Sequence, residues 1–166
     1  NCKVWFPITS YVPIMLIFNV SIHRIFRKNF NNEFASLVGF NPPYWEPMPG
    51  EKSIQETFTE EWDLVQTSDL SFTYTKAELI DLHGLVWLKR PQEFQGARKQ
   101  ILNIGCGGLG KEAEVLNEIT GSEVYGVDLN FSLLHSANKF INKQSIHLII
   151  ASLYYLPFKE SEFDLV

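Results

Sequence analysis

Ile101-Leu102-Asn103-Ile104-Gly105-Cys106-Gly107-Gly108-Leu109-Gly110 is the stretch on which the fold turns. A mostly apolar tetrapeptide reads as a buried strand, the G-x-G-x-x-G spacing follows at once, and Lys111 onward has the pattern of a helix. Glycines at these points permit a tight turn and let backbone approach a ligand with no Cβ in the way. The helix start would add free amides and a partial positive charge. Taken alone, the spacing also fits a plain structural turn.

A second element gives it weight. Val124-Tyr125-Gly126-Val127-Asp128 reads as another buried strand, ending in a carboxylate eighteen residues after Gly110. Such a group can accept both hydrogen bonds of a ribose diol. Its bland alternative is to cap the helix that follows, although Asn130 and Ser132 are also suited to that job. A nicotinamide dinucleotide and S-adenosylmethionine both present an adenosine to this geometry, so these two elements leave dehydrogenase and methyltransferase open.

Outward from this centre, short apolar runs alternate with helical stretches: Ile101–Ile104, Lys111–Ile119, Glu123–Asp128, Ser132–Asn142, Ile146–Ala151 and Phe163–Val166. Strand, helix, strand, helix, strand and a further strand start predict an α/β fold with a doubly wound, mostly parallel sheet. Upstream, Ser53 with Glu56 and Thr75 with Glu78 fit the capping box that starts a helix. The second helix would carry Ala77, Ile80, Leu85 and Leu88 at helical spacing to cover the sheet.

The third segment separates the two chemistries through a family resemblance. Residues 101–110 resemble the first motif of class I (Rossmann-like) S-adenosylmethionine-dependent methyltransferases, and Tyr125-Gly126-Val127-Asp128-Leu129 resembles the second. Ala151 to Val166, with Leu156-Pro157-Phe158 followed by Phe163-Asp164, is similar to the third-to-fourth-strand region of the small-molecule members, of the methyltransferase type 11 kind. Gln55 to Trp62, with Phe58 and Trp62, resembles the aromatic lead-in of some of these enzymes, although the pair could equally be core. The resemblance covers residues 51–166, most firmly from 101.

What the resemblance implies is S-adenosylmethionine as cofactor and an acceptor of small-molecule class. Gly105, Gly107 and Gly110 would lie along the methionine and ribose parts, Asp128 would take the ribose hydroxyls, Leu129 would pack on the adenine, and Leu153 is a further cofactor-binding candidate. Two positions depart from the family pattern: Asn103 stands where an acidic residue ends the first strand, and Ser152 where an aspartate receives the adenine amine. Both can still accept hydrogen bonds, without the charge that strengthens them. The other readings are an NAD(P)-binding oxidoreductase fragment and a degenerate, non-catalytic cofactor-fold module.

Composition bounds the rest. A 45% hydrophobic fraction with 20% charged residues fits a globular chain of 166 residues. A net charge of −5 argues against a nucleic-acid partner, which needs clustered cations. Cys2 and Cys106 are too few for a disulfide framework or zinc site, so no metal and a reducing, cytoplasmic setting are expected. Cys106, in the loop, reads as a small loop residue. Tyr154 and Tyr155 could touch adenine or acceptor. His23, His83, His135 and His147 are scattered and expected as surface or locally bonded side chains. No catalytic residue is singled out.

Three segments follow: residues 1–50 as a hydrophobic, Pro-rich extension or linker, 51–100 as a helical lead-in, and 101–166 as the first half of the cofactor domain, cut within its fourth strand. Val4 to Ile22 carries no formal charge before Arg24, Arg27 and Lys28, which resembles a membrane segment with a basic flank. Pro7, Pro13, Thr9, Ser10, Asn19 and Ser21 count against it and make membrane contact the less favoured reading beside a buried element or a non-native leader. The four prolines and glycine of residues 41–50 forbid a regular helix there. With the sheet incomplete, the expectation is marginal folding or association and no activity for this chain alone.

Overall fold

A computed structural model describes residues 3–18, 21–35, 39–43, 45–65, 74–88, 90–95 and 99–166. Cys2, Asn19 and the side chain of Leu85, read above from sequence, lie outside the described residues. Three strands, β3 (Gln100–Ile104), β4 (Glu123–Asp128) and β5 (Ile146–Ile150), form a parallel sheet in the order β3-β4-β5. Ile101 stands opposite Val124, and Val124 opposite Ile146, so the strand ends at Ile104, Asp128 and Ile150 come out on one rim. Helix α5 (Lys111–Thr120) crosses from β3 to β4.

Both faces of the sheet are apolar, as parallel strands require. Ile101, Val124, Leu148 and Ile150 point to a core shared with Ala113 and Leu116 of α5 and with Phe140. Leu102, Val127 and Ile149 point the other way, towards Met15, Phe158 and Phe163. Gly126 is needed at the centre. A Cβ there would stand 3.0 Å from Cys106 Sγ and 3.2 Å from Ala113 Cβ, so its absence lets α5 settle on β4.

The predicted start of a fourth strand takes its place at the free edge of β3. Leu165 pairs in parallel with Ile101, and the Leu102 N–H donates to the Leu165 carbonyl at 2.9 Å. Asp164 reinforces this edge, accepting from Lys99 Nζ at 2.6 Å and from the Gln100 N–H at 2.9 Å.

The other edge is covered by the segment that resembled a membrane span. Strands β1 (Ile8–Thr9) and β2 (Val12–Pro13) form a small antiparallel hairpin. Beyond it Ile14 pairs with Ile150, with the Met15 N–H donating to the Ile150 carbonyl at 2.7 Å. Val12, Ile14, Leu16 and Phe18 alternate into the core and are at most 4% exposed. No helix among the described residues is long and apolar enough to cross a membrane. After it come helices α1 (Ser21–Asn29) and α2 (Asn31–Phe34), then a proline-rich run tied back by Asn41 to Lys3 and Trp5.

Three local expectations need correction. Helix α3 (Glu51–Val65) starts two residues before Ser53, because the Met48–Glu51 turn starts it: Glu51 N–H donates to the Met48 carbonyl and Glu51 Oε2 accepts from the Met48 N–H, each at 2.9 Å. Ser53 is therefore inside the first turn and no cap. Thr75 does cap α4 (Lys76–Asp81), with the Thr75–Glu78 box complete; the helix then widens into a π-turn over Leu82–Trp87. The stretch 132–142 is helical only over α6 (Leu133–Ser136) and a following 3-10 turn, since Phe140 must turn inward to reach the core.

The third concerns the histidines, two of which are buried. His23 on α1 packs edge-on against Trp5, and burial lowers its pKa to about 4. His83 is lowered by burial too, partly offset by the charge of Glu112. An imidazole that stays neutral in the fold while the unfolded chain titrates near 6.5 gives stability that is full above pH 6.5 and lost as pH falls towards about 4. Unfolding free energy from urea titration should drop on the order of 2 kcal/mol between pH 7 and pH 5 through His23. His23→Gln should remove most of that drop. An equal drop in the variant would contradict the assignment.

Candidate functional site

The rim formed by the carboxyl ends of β3, β4 and β5 is where open parallel sheets bind ligands. The loop after β3 holds Gly105, Gly107 and Gly110 all at positive φ, at 75°, 72° and 61°, a region side chains rarely occupy. The loop is held from beneath by β4. Gly105 N–H and Cys106 N–H donate to the Val127 carbonyl at 2.8 and 3.2 Å, and Gly107 N–H donates to Asp128 Oδ2 at 2.8 Å. Gly110 N–H turns back to the Gly107 carbonyl at 3.1 Å. Four of the six amides from 105 to 110 are thus engaged within the chain, in contrast to the free amides expected from the sequence.

Asp128 is the centre of this arrangement. Its Oδ1 accepts from the Asn130 N–H at 2.9 Å, so it serves the local backbone as well as the loop. Burial raises its pKa, the backbone N–H groups of Gly107, Asn130 and Leu129 oppose that, and the charge of Glu112 adds to the rise. A carboxylate offers about four acceptor sites, so two such bonds leave capacity for a diol.

Helix α3 lies across the rim as a cover. Trp62 sits on the loop: a Cβ on Gly107 would come 2.9 Å from its ring, and one on Gly108 would come 2.9 Å from Trp62 Cβ. Midway, the Phe58 carbonyl accepts from Asn130 Nδ2 at 2.9 Å. At the start of α3, Met48 Sδ meets the Tyr155 hydroxyl at 4.0 Å. The helix therefore runs from the Ser152–Tyr155 turn, past Asp128 and Asn130, to the glycine loop.

Between α3 and the rim lies a cavity of about 370 Å³. Gly105, Gly107, Asp128, Leu129, Ser152 and Leu153 line it, joined from α3 by Glu51, Gln55, Phe58 and Trp62, and by Tyr154. A second cavity of about 260 Å³ continues on the far side of Trp62, sharing Phe58, Trp62, Gly105 and Gly107 and adding Glu61, Lys111 and Glu112. A third, of about 400 Å³ beside the N-terminal hairpin, shares no residue with either.

Three of the sequence candidates, Gly110, Asn103 and Tyr155, lie outside both cavities. Gly110 is packed against Phe140 and Leu148, where it allows the left-handed start of α5. Asn103 donates from Nδ2 to Glu112 Oε2 at 3.2 Å, and its Oδ1 is buried without a hydrogen-bond partner. Ser152 is buried and its Oγ accepts from the Tyr154 N–H at 3.1 Å. Tyr155 contacts Met48 but does not line the cavity. Cys106 is buried, and burial followed by the charges of Asp128 and Glu112 pushes its thiol well above the ordinary range, so it stays protonated.

Sequence reasoning missed Glu51 and Gln55, which are 3% and 5% exposed and face this site from α3. Nothing in a Pro-Gly-Glu junction distinguishes them. Asn130 was legible only as a cap. It is also the clamp between α3 and β4, with its Oδ1 accepting from the Ser132 N–H at 2.9 Å.

Residues 102–166 match the family model for a methyltransferase domain, so this part of the chain is similar to class I methyltransferases, and its parallel sheet is of the Rossmann-like kind. No curated protein matches the chain.

Gly107→Ala should cost about 1–2 kcal/mol from backbone strain alone, with a further loss from contact with Trp62. In a double-mutant cycle, Trp62→Ala should couple to it by on the order of 1 kcal/mol. Full stability in Gly107→Ala would contradict the packing of α3 on the loop.

Proposed function

We propose that the chain binds S-adenosylmethionine in the α3-covered cavity and belongs to an enzyme that transfers its methyl group to a small-molecule acceptor. The observation that carries this reading is the charge and donor pattern of the rim. The residues lining the two cavities include four carboxyl groups, Glu51, Glu61, Glu112 and Asp128, and one cation, Lys111.

A pyrophosphate needs free amides at a helix start. Here the Gly105, Cys106, Gly107 and Gly110 amides are spent within the chain, and α5 opens with Glu112 and Glu114. That arrangement repels a dinucleotide and suits a ligand carrying a sulfonium, an ammonium and hydroxyl donors. It favours methyl transfer over the hydride transfer that the glycine spacing alone left open.

Asp128 would take the ribose hydroxyls, Leu129 and Leu153 would flank the base, and Gly105 and Gly107 would let the amino-acid part lie close to backbone. When bound, the cofactor supplies a methyl already activated by its bond to positive sulfur. The chain's own task is then to hold the sulfonium in place, exclude water with Phe58 and Trp62, and leave an open side for the acceptor. Proximity and orientation carry much of the rate in such a reaction.

Thermal unfolding with S-adenosylhomocysteine and with NADH tests the reading. A ligand at about 100 times its Kd adds roughly 2.7 kcal/mol to the native state, a rise in Tm of about 5–10 °C for a chain of this size. S-adenosylhomocysteine should give it and NADH should not; the reverse result would overturn the proposal. Asp128→Asn should weaken the binding about tenfold or more by removing charge from the diol contacts.

A further inference from the structure

Glu51 stands out among the groups the mechanism does not use. Its side chain is 3% exposed, Oε2 accepts from the Met48 N–H, and Oε1 is buried with no hydrogen-bond partner. A buried acceptor left without a donor is costly, which makes such an atom a marker for a missing partner. Gln55, one turn further along α3 and also buried, lines the same cavity.

The position of Glu51 says which part of a ligand it meets. α3 reaches the glycine loop at Trp62, the Asp128–Asn130 corner at Phe58, and the Ser152–Tyr155 turn at its start, where Met48 meets Tyr155. A nucleoside whose ribose is at Asp128 and whose 5′ substituent runs to the glycines has its base at the Glu51 end. Ser152, on the opposite wall, uses one of its two Oγ lone pairs on the Tyr154 N–H and has its O–H as a donor.

We infer that Glu51, from the covering helix, is the residue that selects the base of the bound nucleoside, accepting from an exocyclic amine in place of the weaker acceptor Ser152. The inference rests on the cofactor reading above. Glu51 and Ser152 together present an acceptor and a donor to the base edge. Adenine, with an amine beside an unprotonated ring nitrogen, matches this pair; hypoxanthine, with a carbonyl beside an N–H, reverses both groups.

Isothermal titration of the chain with S-adenosylhomocysteine and with S-inosylhomocysteine, its deaminated counterpart, decides the matter. The unsubstituted chain should prefer the adenine ligand by about tenfold or more. Glu51→Gln, which keeps an acceptor oxygen for Met48 but can turn an amide donor to the base, should lose most of that preference by gaining affinity for the inosyl ligand. Binding of S-adenosylhomocysteine with no base preference in the unsubstituted chain, or with the preference intact in Glu51→Gln, overturns the role of Glu51 and leaves the cofactor reading standing. Binding of neither ligand overturns both. The comparison in the unsubstituted chain needs no variant to fold.

Discussion

The hydrogen bonds of the Asp128 carboxylate hold the site together. One oxygen fixes the Gly107 N–H and with it the left-handed turn of the glycine loop; the other fixes the Asn130 N–H and with it the corner after β4. Asn130 then passes the constraint to α3 through the Phe58 carbonyl and to α6 through the Ser132 N–H. Loop, cover helix and strand end are therefore registered to one half-buried carboxylate. Its raised pKa, caused first by burial, reflects the cost of keeping a charged group there, and the backbone donors offset part of that cost.

The parallel sheet was legible because its signals are local. A strand ending in glycines, a strand ending in Asp128, and Leu-Pro-Phe after a third strand each depend on neighbours within a few residues. The observed strands match those readings within a residue or two at their ends. Glu51, Gln55 and the clamp made by Asn130 were not legible, because they acquire meaning only when α3 folds over a rim more than fifty residues away in sequence. Helix α3 starts three residues before the one a Ser53 cap predicts for a related reason: Ser53 and Glu56 satisfy the spacing of a cap, but the turn at Met48–Glu51 already starts the helix.

The N-terminal apolar run illustrates a different limit. Val12 to Phe18 is apolar at every position, so the period of two that distinguishes a strand cannot be seen in it. In the fold, Val12, Ile14, Leu16 and Phe18 enter one core while Met15 packs against the cluster on the other face of the sheet. A segment apolar on both sides suits a strand-like edge with both faces covered as well as it suits a lipid-facing helix, and only the pairing of Ile14 with Ile150 separates the two.

That pairing also orders events in time. During synthesis residues 12–18 leave the ribosome well before their neighbour in the sheet, β5, which is made only after the glycine loop, α5 and β4. The most apolar stretch of the chain must stay unpaired until residue 150 has emerged, and closing so long a loop is slow compared with forming α5 or the β3-β4 pair. The centre of the sheet can therefore assemble before its edge is finished, and in that interval the apolar run of residues 12–18 is exposed surface of the kind that promotes aggregation.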